Sequence, residues 1–545
     1  MMKRKINTLL LALGVFLVSS CELDYLENPN AVTESSTDAN FLLNNIQLNF
    51  RNIFRGVSDT GQRLTRMINQ GANTYETAYT PTSYDGLWSS SYAGILADIK
   101  VLKKIAAEKN FKRHAGIAKT LEAFTLMTLV DAFGNVPYSE ALDASNFNPK
   151  ADDGAAVYSA ALELLKSAKT DFAGTATGTP NDYFYGNNYA RWTKLVNTLM
   201  LKYHLNRRLI DKAGSTSAIA ALISENNMLG IGDEFTFKYG TSQNDPDSRH
   251  PDFASQALAG GGDYQSTYFM WHLTEAKGFD DPRAKYFFYR QVTSNTTSPS
   301  EMECITQFKP SHYPEDMIFC QPGERGFWGR DHLDNDGIPP DGLKRTLYGV
   351  YPAGYRFDNN APSAAGSADL ATNGAGILPI MLPSFVDFML AEAALTLGTT
   401  GDAKALLSSG ATKSINFVRA WSLTTNQAAK ITAFESNANF DTNRGKYLAA
   451  IVSEYDAATT QTDKMKILGR EYWISLYGNG VEAYNLYRRT GQPSGMQPGL
   501  QPAVGNFPRS FIYPASYVNT NSNAKQKADF KVKVFWDNNP DSFIN

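Results

Sequence analysis

The chain has 545 residues, with 51 Lys and Arg against 54 Asp and Glu, for a net charge of −3. Apolar residues make up 43% and charged residues 19%, a globular balance that excludes a disordered chain, and no basic run supports non-specific nucleic-acid binding. Aromatic residues reach 12%, enough to fill a core or to line a stacking surface, while three cysteines are too few for a disulfide framework.

The chain opens on Lys3, Arg4 and Lys5, followed by an apolar run from Leu9 to Val18. That run is too short to cross a hydrocarbon core ~30 Å thick as a helix, but it suits a signal peptide over residues 1–20. Val18-Ser19-Ser20-Cys21 completes the pattern with an aliphatic residue, two small residues and a cysteine. Small side chains let a signal peptidase reach the backbone before Cys21, whose thiol is then diacylated. The alternative is a plain secretory signal with a chance cysteine. No later stretch has the apolar length of a spanning helix, so lipid on Cys21 is the expected anchor, at ~0.8 kcal/mol per buried CH₂.

Residues 22–90 are rich in Asn, Thr and Tyr and only partly periodic, and Tyr75, Tyr79, Tyr84, Trp88 and Tyr92 fall in or beside this loop-like stretch. A helical period appears from about residue 93. Residues 112–133 are apolar nearly all round, which predicts a buried helix. Residues 152–172 place Val157, Ala161, Leu164, Ala168 and Phe172 on one face, and 188–212 and 215–227 continue similarly. These make two helix pairs of tetratricopeptide size, without a clean repeat consensus.

Residues 246–383 hold 13 of the 24 prolines, which break helices and central strands. A large insertion of loops, turns and short strands is expected, of the kind that carries function. Tyr268, Trp271, Phe327 and Trp328 lie in it. With Tyr75, Tyr79, Tyr84 and Trp88 they are the candidate ligand-binding rings, either stacking on sugar C–H faces or gripping peptide side chains. Packing under the loops is the alternative. Gly260, Gly261 and Gly262 mark a mobile loop or a tight backbone passage. Asp331, Asp334 and Asp336 precede Gly337 on a turn-forming stretch. They are candidate calcium ligands, although the register fails the EF-hand pattern; the alternative is a turn satisfied by its own backbone. Cys304 and Cys320 either close a loop of about 16 residues, worth ~3 kcal/mol, or stay as buried thiols.

Helical period returns at 383–398, 402–421, 441–457 and 462–489. Glu392 sits in an apolar run and needs a buried partner, for which Arg419 on the next helix is expected. Arg470-Glu471 and Arg488-Arg489 read as structural charges. No zinc, nucleophile-elbow or phosphate-loop motif occurs, and no two of the six histidines are closer than 20 positions.

Several segments together resemble one family. They are Leu129-Val-Asp-Ala-Phe-Gly-Asn-Val-Pro-Tyr138, Ala391-Glu392-Ala393, Ile415-Asn-Phe-Val-Arg419, the run from Ile467 through Gly491, Phe511-Ile-Tyr-Pro514, and Gly329-Arg-Asp-His-Leu-Asp-Asn-Asp-Gly337. Their order, with the cysteine at 21, resembles the SusD/RagB family of outer-membrane nutrient-binding lipoproteins. The acidic stretch after Cys21 is similar to the surface-export signal of Bacteroidetes lipoproteins. The resemblance implies a mainly α fold, with tetratricopeptide-like helix pairs supporting a large irregular insertion of loops and short strands. One domain would span 21–545, its helical scaffold at 93–227 and 383–490 and its ligand side at 228–382. The implied role is capture of a glycan or oligopeptide at the cell surface and delivery to a SusC-like TonB-dependent transporter, with no chemistry on the ligand. No cofactor is expected beyond structural calcium. The alternatives are a surface-anchored glycan-processing enzyme and a helical scaffold that binds only protein.

Overall fold

The computed structural model describes residues 37–258, 262–335, 341–364 and 371–544. The signal peptide, Cys21, Gly260, Gly261, Asp336 and Gly337 lie outside the described residues.

The first element is a helix that the sequence reading passed over: α1 (Ala39–Leu64). Leu43, Ile46, Phe50, Ile53 and Val57 keep a helical period on its buried face, and the Asp38 carboxylate caps the Asn40 N–H at 2.6 Å. Its outer face carries Asn40, Asn44, Asn45, Asn49 and Asn52, poor helix formers that masked the period. A chain of tight turns follows: helix Tyr75–Ala78, a 3₁₀ turn at Pro81–Tyr84, helix Asp85–Ser89 and a π-helical stretch at Ser90–Leu96. It runs into α2 (Ala97–Lys109) and then α3 (Lys112–Phe133), which is buried along nearly its whole length, as expected. α4 (Gly154–Ala173) packs onto α3, α5 (Tyr189–Arg207) onto α4, and α6 (Lys212–Glu225) onto α5.

The insertion is built as the prolines predict. Two-stranded ribbons join β1 (Phe235–Lys238) and β2 (Phe288–Tyr289) to β3 (Leu347–Tyr348) and β4 (Ile377–Met381): β1 pairs antiparallel with β4, and β2 with β3. The longest of the short helices among them is α7 (Thr267–Thr274); others lie at Pro251–Phe253 and Ala284–Phe287. Cys304 and Cys320 form a disulfide, with Cα atoms 5.7 Å apart, packed against Met302 and Trp328.

The second half holds α8 (Pro383–Leu397), α9 (Ala403–Ser422), α10 (Ala428–Ala438), α11 (Phe440–Ala457), α12 (Gln461–Ser475) and α13 (Gly480–Thr490). Pro383 opens α8, and Gly398 closes it with a positive φ of 69°. The single helix expected over 462–489 breaks in two. Gly478 takes a φ of 92°, and the Asn479 side chain caps α13 by accepting the Glu482 N–H. α10 was not expected; only Ile431 of it is buried, so it leaves little apolar period to read.

Buried charges tie the two halves. Asp131 of α3 accepts from Lys202 at 3.0 Å, Asn485 at 2.7 Å and the Trp536 indole at 2.9 Å. Glu392 is paired, but with Arg489 of α13 (2.6 and 2.7 Å) and Arg208 (3.0 Å), not with Arg419. The expectation looked to the neighbouring helix, whereas Glu392 faces α13 and the end of α5; Arg419 reaches Glu435 instead, at 2.8 Å.

Candidate ligand-binding cleft

The turns at 75–89 stand beside the C-terminal half of α1, and their conformation follows from local capping. Thr74 and Thr77 cap each other's backbone around the first turn, Thr80 and Ser83 do so around the second, and Pro81 sits at its first position. This sequence of caps sets Tyr79 and Tyr84 against α1. A cavity of about 500 Å³ lies between, lined by Asn52, Asp59, Thr60 and Arg63 of α1 and by Tyr79 and Tyr84 opposite, with Gln70 and Ser83 at its margins. It is of a size that takes a small ligand.

Its charges are held in place. Arg55 pairs with Asp252 at 2.7 Å and with Asp59 at 3.2 Å, and Arg63 pairs with Asp263 at 2.6 Å. Arg63 also donates to the Asn69 carbonyl at 2.9 Å. Burial pushes the Asp59 carboxyl up to about 7; Arg55 opposes this and the Asp252 charge adds to it. The Tyr79 ring is buried and its hydroxyl has no hydrogen-bond partner. Burial moves that hydroxyl well above the usual tyrosine range, so it stays protonated and free to donate. The cleft thus offers a guanidinium, amides, hydroxyls and ring surface, with Asp59 the one carboxylate among its lining residues.

Of the rings singled out from sequence, the structure brings Tyr79 and Tyr84 together here. Tyr75 lines a neighbouring hollow of about 200 Å³ with Arg66 and Phe507, its hydroxyl 3.1 Å from His332 Nε2. The others are placed elsewhere. Trp88 packs on Phe133, Tyr92 and Tyr517; Tyr268 on Trp473; Phe327 between Arg290 and Arg325; and Trp328 against the disulfide cluster. All four are buried, and Trp271 is half-buried. The expectation of rings on open loops is corrected on this point. Tyr75 and Tyr79, and then Tyr84, Trp88 and Tyr92, recur every fourth residue, a helical signal of ring burial that was present in the sequence.

At the acidic turn, the buried Asp331 carboxylate accepts from the Cys320 N–H at 2.8 Å and from Gln497 at 2.7 Å. Burial pushes it up to about 6. The Asp334 carbonyl accepts from Asn69 at 3.1 Å. Among the described residues no group of three or more His, Cys, Asp or Glu is arranged to hold a metal ion.

Comparison with known proteins follows the same division of the chain. A family model described as starch-binding and associating with the outer membrane matches residues 29–307, and one described as SusD and RagB outer membrane lipoprotein matches 347–538. Similar solved structures include a SusD homologue from Bacteroides fragilis, 18% identical with a TM-score of 0.65, covering 92% of this chain and 99% of its own. A SusD/RagB family protein from Bacteroides thetaiotaomicron is 16% identical with a TM-score of 0.66, covering 93% and 100%. A chitin-binding SusD homologue from Flavobacterium johnsoniae is 17% identical with a TM-score of 0.63, covering 92% and 100%. No curated protein matches the chain by sequence. Among the described residues no helix is long and apolar enough to cross a membrane. With one model over just over half of its length and the second over most of the rest, the chain belongs to the SusD/RagB family of outer-membrane lipoproteins.

Proposed function

We propose that the protein is a lipid-anchored binder that captures a glycan in the cleft between α1 and the 75–89 turns and delivers it to a SusC-like TonB-dependent transporter. The observation that carries this reading is the Tyr79 hydroxyl, buried without a partner at the wall of a cavity that Asn52, Thr60, Arg63 and Gln70 also line. A buried donor left unmade costs ~1–3 kcal/mol, which a ligand acceptor recovers. The hydroxyl- and amide-rich lining suits a polyhydroxylated ligand better than peptide side chains. The chitin-binding relative shares the fold and supports the ligand class by analogy.

A glycan-processing enzyme is the second reading. Glycoside hydrolysis calls for two carboxylates flanking the bond, and Asp59 stands alone among the cleft's lining residues, with Asp252 and Asp263 tied to Arg55 and Arg63. The test is a glycan array probed with the mature chain, followed by product analysis of each bound glycan. Saturable binding without cleavage supports capture. Cleavage would transfer the protein to the enzymes, and binding to oligopeptides alone would replace the ligand class.

A further inference from the structure

Five of the seven tryptophans are buried; Trp271 and Trp421 are not. Trp421 stands at the C-terminal end of α9 with Phe417 one turn before it, and both rings are half-buried. Four positions of helix advance about 6 Å along the axis, so the two side chains are neighbours on one face. The buried ring of Tyr351 stands nearly perpendicular to both, 6.2 Å from Phe417 and 5.7 Å from Trp421. Among the described residues no other ring, and no lysine or arginine, stacks on either. The pair is held from beneath by one buried side chain.

A hollow adjoins each ring. One, of about 150 Å³, reaches from Phe417 and Ala420 to Leu382 and the exposed Ile231. The other, of about 360 Å³, reaches from Trp421 to Lys238 and Ile377, at the opposite end of the β1–β4 ribbon. The two follow one another along α9, and neither shares a residue with the cleft described above.

Their charges cancel. Asp387 neutralises Lys413 at 2.8 Å, and Glu234 and Lys238 carry one charge of each sign. The other polar groups are uncharged donors and acceptors. The exposed Thr424 hydroxyl donates to the Trp421 carbonyl at 2.6 Å and keeps its lone pairs as acceptors. The Trp421 indole N–H has no partner among the described residues. The exposed Asn416 accepts from Arg444 at 2.8 Å through its amide oxygen, which leaves its amide hydrogens to donate. The buried Ser384 hydroxyl, at the wall of the smaller hollow, is without a partner as well.

We propose that this face of α9 is a second saccharide site, which takes successive units of a neutral glycan chain. The C–H faces of neighbouring sugar units lie on Phe417 and Trp421. Their hydroxyls donate to Thr424 Oγ1 and accept from the Trp421 indole and the Asn416 amide. With no charge of either sign left over, the face selects neither an anion nor a cation. This rests on the reading of the protein as a glycan binder, but on none of the cleft's residues.

The test is titration calorimetry of the mature chain with neutral hexasaccharides (maltohexaose, cellohexaose, xylohexaose, mannohexaose, laminarihexaose and chitohexaose) and with hexaproline as a peptide probe. Each is run on the wild type and on Trp421→Ala, Ala420→Arg and Tyr79→Phe variants. Ala420 is exposed on the same face, so Ala420→Arg keeps the helix and places a guanidinium where it can cover the rings. At least one hexasaccharide should show a binding event that weakens about tenfold in both Trp421→Ala and Ala420→Arg and persists in Tyr79→Phe. Binding that is lost in Tyr79→Phe and unaffected by both α9 variants would overturn the proposal and leave the first cleft as the capture site. Loss in Trp421→Ala alone would mark lost packing on Tyr351, and hexaproline binding with the same dependence on α9 would give the face to a peptide; either would overturn the saccharide site. No binding of any hexasaccharide would overturn it too, while the glycan array still decides the first reading separately.

Discussion

A Cβ atom on Gly61 would fall inside the carbonyl group of Gly480, and one on Gly480 would fall inside that of Ser58. Helices α1 and α13, more than four hundred positions apart in the chain, therefore meet backbone to backbone. The contact is sealed by the Ser58 hydroxyl, which accepts the Gly480 N–H at 2.8 Å and donates to the Gly478 carbonyl at 3.2 Å, and by Gln62, which accepts the Gly478 N–H at 3.0 Å. It fixes the half of α1 that presents Asp59 and Arg63 to the cleft.

Alanine at either glycine has no space and must push the helices apart. Gly61→Ala and Gly480→Ala should each destabilise the protein by about 3 kcal/mol, near the upper end for overpacking. Denaturant unfolding measures this. A loss within ~0.5 kcal/mol, the range of surface substitutions, would mean that the helices separate freely.

Glu471 is buried among Arg283, Arg470 and Lys277, with Arg470 at 2.9 Å and Lys277 at 3.2 Å. Burial alone would raise its carboxyl; Lys277, Arg470 and Arg283 outweigh it and hold the group down to about 2. A depressed carboxyl contributes stability that is fully present above its unfolded value near ~4.3 and is lost as pH falls through the folded value. Glu471→Gln leaves the buried Lys277 without its carboxylate and takes one of two from Arg470 and from Arg283, and should cost about 3–5 kcal/mol at neutral pH. The variant should also lose part of the stability slope below about pH 4.5. Wild-type and variant stability curves that run parallel through acid would contradict this.

Asp59 behaves in the opposite sense. Its folded value of about 7 lies above the unfolded one, so its contribution is fully present below about pH 4 and is lost as pH rises through 7. Asp59→Asn should flatten the decline in stability between about pH 5 and 8. It should also remove a matching pH dependence of ligand affinity, because the wild-type cleft gains a negative charge over that range. Unchanged pH profiles in the variant would place the titration elsewhere.

Helices α3 to α6, α8 and α9 were legible because their apolar residues keep a clear period. α1 was not, since five asparagines on its outer face look like loop sequence, although Leu43 to Val57 keep the period beneath. The partner of Glu392 could not be read at all, because Arg489 lies 97 positions away and only the crossing of α8 and α13 brings it near. The disulfide was one of two open alternatives until the folding of 304–320 placed the two Cα atoms 5.7 Å apart. The cleft was half legible. Its tyrosines were singled out by type, but Arg63, Asn52 and Asp59 lie on the helix that was passed over.

Calcium at the 331–337 turn is open to a direct test. If Asp334 and Asp336 hold the ion, Asp334→Ala with Asp336→Ala should lower thermal stability in calcium and change little in chelator. Binding to the native state alone is worth ~2.7 kcal/mol at a hundredfold excess over Kd. Equal shifts in both conditions would leave the turn as a turn.

The measurement closest to the central claim is calorimetry of an array-identified glycan on wild type and on the double variant Asn52→Ala, Tyr79→Phe. Tyr79 Oη has no partner in the protein and Asn52 is exposed, so removing both groups should not lower the unfolding midpoint, and loss of the unsatisfied hydroxyl should raise it. Glycan affinity should fall by about 2 kcal/mol, roughly thirtyfold, as two ligand hydrogen bonds are lost. Wild-type affinity in the double variant, with the fold intact, would contradict the assignment of the cleft as the capture site.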